Sequence, residues 1–277
     1  MGETILFSVN LALHDINDDS IKVYPKDSGS SKEKIISACK EFQDEGINII
    51  IGPIDSTFTN ELKRFDDLVT THPAKQFIHN RFIPKEHWDK FYLCPNFYEW
   101  SNEIVPNKFP SLRDDHPRVV IPFYDRAGNF FAFQGRAFGK EQPKYITIKF
   151  DDTKEKIYGL DRLDLNKPVM ITEGPIDSLF LDNAIALAGA DANIKIQPQQ
   201  CTMIFDNEPR NKEIVKRMID AVNKKYNVAV FPNTLKYKDI NDMIIAGKTS
   251  AEIQTIISNN TYCGLKALQH INNWKRI

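Results

Sequence analysis

Acidic residues stand at three points where an apolar run ends. Glu173 follows the run 169–172 and precedes Gly174; Asp206 and Glu208 follow 201–205; Lys238, Asp239 and Asp242 follow 228–231. The runs 169–172, 185–188, 201–205 and 228–231 alternate with helical patterns at 177–182, 213–225 and 239–246. Such alternation predicts a parallel sheet with helices on its faces. Open parallel sheets place their chemistry beyond the carboxyl ends of the strands. Glu173, Asp206 and Glu208 are therefore expected to converge. Gathered carboxylates repel one another unless a cation neutralises them, and an all-oxygen set suits Mg²⁺ or Mn²⁺. A metal held by carboxylates in front of phosphates is the apparatus of phosphoryl transfer.

Each acid alone reads as a solvated loop residue. The ordered set strand-Glu-Gly, strand-Asp-x-Glu and Lys-Asp-x-x-Asp weighs against that plainer reading. Asp177, one turn after Glu173, suits a helix start as well as it suits a site. Arg210 and Lys212 follow Glu208 and could meet phosphate, with surface charge the plainer reading for Lys212.

The preceding region must build the other side of such a site. Residues 118–168 read as antiparallel β-structure, with strands at 119–123, 129–136 and 144–150 and a turn at 125–128. Residues 57–117 are helical and loop-rich, punctuated by Pro84, Pro95, Pro106, Pro110 and Pro117 and dense in aromatic side chains. Residues 1–56 read as a small α/β unit, with helices at 5–13 and 31–45 and strands at 20–24 and 47–51. The expected division is 1–56, 57–168, 169–262 and a tail at 263–277, with an α/β fold throughout.

Composition narrows the classes. The chain has 277 residues, 42% hydrophobic and 26% charged, in the range of an ordinary globular protein. The formal net charge is −1, but residues 1–56 carry −5 and the remainder +4. A weakly basic body is compatible with a phosphate-bearing partner, and equally with a solvated surface. No apolar run is long enough for a membrane span, and the start lacks a basic leader pattern, so a cytoplasmic protein without a membrane partner is expected. Cys39, Cys94, Cys201 and Cys263 are far apart, and His72 and His79 have no cysteine near them, so no zinc site is expected. Ala246-Gly247-Lys248-Thr249 matches the end of a P-loop, but Asp242 stands where that motif needs glycine.

The ordered acidic set resembles the Toprim domain. The upstream stretch VVIPFYDRAGNFFAFQGRAFGKEQPKYITIKF, with YGLDRL after it, resembles the region before Toprim in bacterial-type and phage DNA primases. HPA…NRFIP and DNEPRNKEIV are similar to the primase subunit of tailed phages, and the resemblance runs from about residue 65 to the C-terminus. It implies templated synthesis of RNA primers from ribonucleoside triphosphates on single-stranded DNA, with Mg²⁺ or Mn²⁺ and a separate replicative helicase, in the host cytoplasm. It casts Glu173 as general base or orienting group, and Glu173, Asp206, Glu208 and Asp242 as metal ligands, with Lys238 and Asp239 completing the site or its second shell. Arg136 and Lys144, with Lys238 and Arg210, would contact template or nucleotide phosphates. The family pattern has Asp-x-Asp where this chain has Asp206-Asn207-Glu208, and it usually adds a zinc-binding domain. Residues 1–53 resemble instead a fragment of a periplasmic amino-acid-binding-type protein. A catalytically silent DNA- or helicase-binding fragment, or a Toprim nuclease, are the alternatives.

Overall fold

The computed structural model describes residue 41 and residues 62–188 and 196–277. The chain divides at 61/62, and all but one of the described residues belong to the second unit. The elements expected at 5–51, with the likeness of 1–53 to a binding-protein lobe, lie outside the described residues.

Two sheets carry the fold. The first is antiparallel, in the order β1 (Lys63–Arg64), β2 (Tyr92–Cys94), β3 (Arg118–Tyr124), β4 (Phe130–Ala137) and β5 (Tyr145–Lys149). Helices α1 (Pro73–Asn80) and α2 (Phe97–Ile104) belong to the same region. The second sheet has six strands in the order β11-β10-β9-β7-β8-β6. Its central four, β7 (Val169–Thr172), β8 (Ala184–Leu187), β9 (Cys201–Ile204) and β10 (Asn227–Ala229), are parallel, as the alternation requires. Two short antiparallel edges, β6 (Ile157–Tyr158) and β11 (Thr261–Tyr262), close it on either side.

The period of two in each strand explains how the sheets are stacked. Val119, Ile121 and Phe123 of β3 face a core that also holds Ala184 and Ala186 of β8, Ile204 of β9 and Ala229 of β10. The intervening residues of the second sheet, Ile171, Ile185, Met203 and Val228, face a separate core against α4 (Lys212–Asn223) and α7 (Gly264–Trp274). Val120 and Phe133 turn to a third cluster around Phe97. One core is thus shared by both sheets.

Several elements depart from expectation. The helix expected at 177–182 is a single turn, α3 (Pro175–Ser178). Beyond α4 come α5 (Ile240–Ile245), close to the expected 239–246, and then α6 (Ser250–Asn259), which opens with a capping box between Thr249 and Glu252. Residues 263–277, expected as a tail, contain α7, whose Ala267, Ile271 and Trp274 are buried. Its apolar spacing of three and four is that of a helix laid on a core.

Helix α1 ends on a residue that does not suit its backbone. Phe82 has φ of 53° and is 61% exposed, so it bears the cost of a left-handed conformation without packing in return. Phe82→Gly is expected to raise stability by roughly 0.5–1 kcal/mol, read as a shift in the denaturant midpoint with unchanged slope.

Candidate active site

The acids lie at the carboxyl ends of β7 and β9 and on the loop before α5, as the parallel topology demands. Glu173 follows β7, and its Oε2 accepts the backbone N–H of Asp206 at 2.9 Å. Its Oε1 is paired with Arg217 of α4, which stacks over Phe205 at 5.4 Å. Lys238 Nζ lies 3.7 Å from Asp206 Oδ2 and 3.3 Å from Glu208 Oε1. Arg217 and Lys238 are thus the cations set directly against these carboxylates.

Asp206 bears the brunt of this crowding. Burial and the nearby Glu173 charge push its carboxyl up to about 7, with Lys238 opposing. Asp177 is pushed up to about 8 by its enclosed surroundings and by Asp239. Glu208 moves the other way, lowered chiefly by the hydrogen bond from Asn211 Nδ2 at 3.0 Å.

Asp177 and Asp239 together cap α5. Asp239 Oδ1 accepts the Asp242 N–H at 2.7 Å, and Asp177 Oδ1 accepts the Asn241 N–H at 2.9 Å. Both acids line the cleft, whereas Asp242 is exposed on the first turn of the helix and lines neither of its two cavities. The four expected metal ligands Glu173, Asp206, Glu208 and Asp242 thus do not form one cage. Among the described residues, no group of three His, Cys, Asp or Glu is arranged to hold a metal as it stands. The physical reason is visible: Glu173 is turned to Arg217, and of Asp239 and Asp242 only Asp239 lines the cleft. The donor chemistry still suits a hard divalent cation, since Asp206 and Glu208 offer oxygen and the Asp206 carboxylate is under-neutralised.

The opposite wall is basic. Arg81, Lys144 and Tyr145 face Asp177, Asp239 and Asn241 across one cavity. Arg136 is 4% exposed, between Phe77 at 4.3 Å and Tyr145 at 5.6 Å, and its Nε donates to the Tyr145 hydroxyl at 3.2 Å. Arg136 therefore holds Tyr145 rather than presenting its guanidinium to the cleft. Lys144 is exposed, and the segment carrying it is pinned by buried Arg118, which donates to the Pro143 carbonyl at 2.9 Å. Arg210 is exposed on the loop before α4.

Sequence reasoning passed over four residues. Arg81 donates to Asn241 Oδ1 at 2.6 Å, while Asn241 Nδ2 donates back to the Arg81 carbonyl at 2.7 Å. Asn241 thus ties the basic wall to the acidic one. Asn207, the residue between the two motif acids, donates from Nδ2 to the Leu235 and Tyr237 carbonyls at 3.0 Å each. It also accepts from Trp274 Nε1 at 3.0 Å, so the terminal helix fixes the Lys238 loop. Arg217 follows Asn211 by six residues in an amphipathic helix, where nothing local distinguishes it from surface charge.

No family model matches the sequence. The DNA primase of Enterobacteria phage T4 is 35% identical over 219 residues, spanning 77% of this chain and 64% of that protein. The chain is homologous to phage-type DNA primases. The DNA primase of Thermotoga maritima is 29% identical over 145 residues, 46% of this chain and 26% of that protein. The chain therefore spans less than two thirds of the length of either curated relative. The fold is shared with the Aquifex aeolicus primase zinc-binding and RNA polymerase domains, with TM-score 0.51 and 17% identity over 83% of this chain and 68% of that one. It is shared also with a DnaG primase catalytic domain bound to single-stranded DNA, with TM-score 0.54 and 15% identity over 72% and 74% of the respective chains. Among the described residues of the primase homologue, no helix is long and apolar enough to cross a membrane.

Proposed function

We propose that the chain synthesises short RNA primers on single-stranded DNA, acting in the host cytoplasm beside a separate helicase. The observation that carries this reading is the facing of two walls. The acids Asp177 and Asp239 share one cavity with Arg81, Lys144 and Tyr145, and line a second one with Asp206 and Glu173. In the reaction, the primer 3′-hydroxyl oxygen bonds to the α-phosphorus of a ribonucleoside triphosphate and the α–β bond breaks, releasing pyrophosphate.

The residues divide this work. Asp206 and Glu208 would hold Mg²⁺ or Mn²⁺, which when bound supplies charge compensation at the phosphates. Lys238, 53% exposed at its side chain, already bridges those two acids and is placed to move to the triphosphate. Arg81 and Lys144 neutralise phosphates from the far wall, a sequence-independent contact. Arg136 acts through Tyr145. Glu173 is the candidate base or orienting group, and Arg217 sets its direction. Arg210, on the rim of the acidic wall, and Asp242, on the outer turn of α5, are peripheral in this scheme.

The test is Mg²⁺-dependent oligoribonucleotide synthesis on mixed-sequence single-stranded DNA, comparing the chain with Glu173→Gln. Product from the parent, reduced on the order of 100-fold or more in the variant, is expected for a group acting at the reacting atoms. DNA binding by both proteins with product from neither would instead favour a silent binding fragment. The pairing of Glu173 with Arg217 is the feature that favours that second reading.

A further inference from the structure

We propose that Gln134 reads a sugar hydroxyl of the incoming ribonucleotide. The inference rests on the primase reading and assigns a substrate contact within the same cleft.

Gln134 lies on β4 with its side chain on the face shared with Arg136, opposite to the face where Gly135 meets Phe97. It is 5% exposed. Its Nε2 donates to Thr147 Oγ1 at 3.0 Å, and its Oε1 is buried with no hydrogen-bond partner. Leaving a buried acceptor unpaired costs its full desolvation penalty. A valine or leucine at this strand position would carry no such cost, so the amide calls for an external partner. Gln134 lines the cavity that also holds Arg81, Lys144, Tyr145, Asp177 and Asp239. That partner would therefore arrive with the group seated between the basic and acidic walls.

Three considerations select a sugar hydroxyl. A templated polymerase must accept all four bases, so a fixed contact is best made to the part they share. A hydroxyl both donates and accepts, so it satisfies the spare end of the amide in either orientation of that amide. A DNA template has no free hydroxyl along its sugars, whereas the nucleotide has two. Sites built to pair with a substrate hydroxyl reject the analogue that lacks it, because the buried protein group is then left unpaired.

The test measures binding of ATP, 2′-deoxyATP and 3′-deoxyATP to the full chain with Mg²⁺, by equilibrium dialysis, in the parent and in Gln134→Met. The parent is expected to bind ATP roughly tenfold or more tightly than one of the two deoxy analogues, which names the hydroxyl. In Gln134→Met that difference should collapse, with ATP weakened and the discriminated analogue unchanged. Thermal melting of the variant should match or exceed that of the parent, because the orphan acceptor is gone. Retained discrimination in the variant, no discrimination in the parent, or equal weakening of all three nucleotides would each overturn the inference while leaving the primase reading intact. Failure of both proteins to bind any nucleotide would overturn the primase reading and this inference with it.

Discussion

Asp206→Asn should abolish primer synthesis and, at the same time, stabilise the metal-free protein at alkaline pH. The loss of activity should exceed the roughly 10–100-fold that removal of a metal ligand's supporting partner costs, since Asp206 is cast as a ligand itself. The gain in stability follows from its position. The Asp206 carboxyl rises from its ordinary 3.8 to about 7 on folding, through burial first and the Glu173 charge second. The folded protein thus binds more protons at this group between those two values. Its contribution to stability is fully present below about pH 4 and is lost as the pH rises through about 7. A tenfold change in proton affinity corresponds to about 1.4 kcal/mol. With 27% of the side chain in solvent, screening reduces the whole effect to about 1–3 kcal/mol. Denaturant unfolding with chelator at about pH 5 and about pH 8 checks this. The parent should lose more stability than Asp206→Asn between the two conditions, and millimolar Mg²⁺ at the higher pH should restore the parent but not the variant. Equal pH dependence in the two proteins would show that the carboxylate is not held under-neutralised.

Gly135→Ala should be among the most destabilising single-methyl changes in the molecule. A Cβ at Gly135 would collide with the Phe97 ring. That ring cannot swing aside, because Phe97 is 0% exposed and packs on Tyr98, Trp100, Phe109 and Phe133. Arg118 lies over the same ring at 5.4 Å and pins the segment carrying Lys144. Overpacking of this kind typically costs about 1–3 kcal/mol, and the displaced strand also carries Gln134 and Arg136. The check is a double-mutant cycle: Phe97→Leu should make room, so Gly135→Ala should cost markedly less in that background. Equal costs in both backgrounds would mean that the glycine is not there for the ring. Gly135 next to Arg136 carried part of the resemblance to primases, and close packing accounts for the glycine without any contact to substrate.

The second sheet was legible because its local patterns agree with one another. Short apolar runs at 169–172, 201–205 and 228–231 separated by helical spacing leave little choice but parallel strands with crossover helices. Acids directly after such runs must then lie at one edge. The capping box of Thr249 and Glu252 is equally local, a Thr-x-x-Glu before an apolar run, although residues 246–249 also match the end of a P-loop. The final helix is harder to see in the string. Its buried apolar residues Ala267, Ile271 and Trp274 are few, and its start at Cys263 has no side-chain cap.

The roles of individual side chains were another matter. Asp239 and Asp242 are indistinguishable in KDIND, and only the start of α5 turns one into the cleft and the other to solvent. Arg136 reads as a phosphate contact from its type, yet the rings of Phe77 and Tyr145 enclose it. Arg217 and Arg81 meet Glu173 and Asn241 from 44 and 160 residues away. The linear string already specifies which acids end which strands, that they share an edge, and that a β-rich region precedes them. Periodicity and strand-end position are short-range properties, and a string records them directly. Which cation neutralises which acid, which arginine is enclosed and which amide keeps a spare polar atom were settled by folding in three dimensions. Those outcomes depend on pairings between distant segments and on the volume left between them, and no local pattern encodes either.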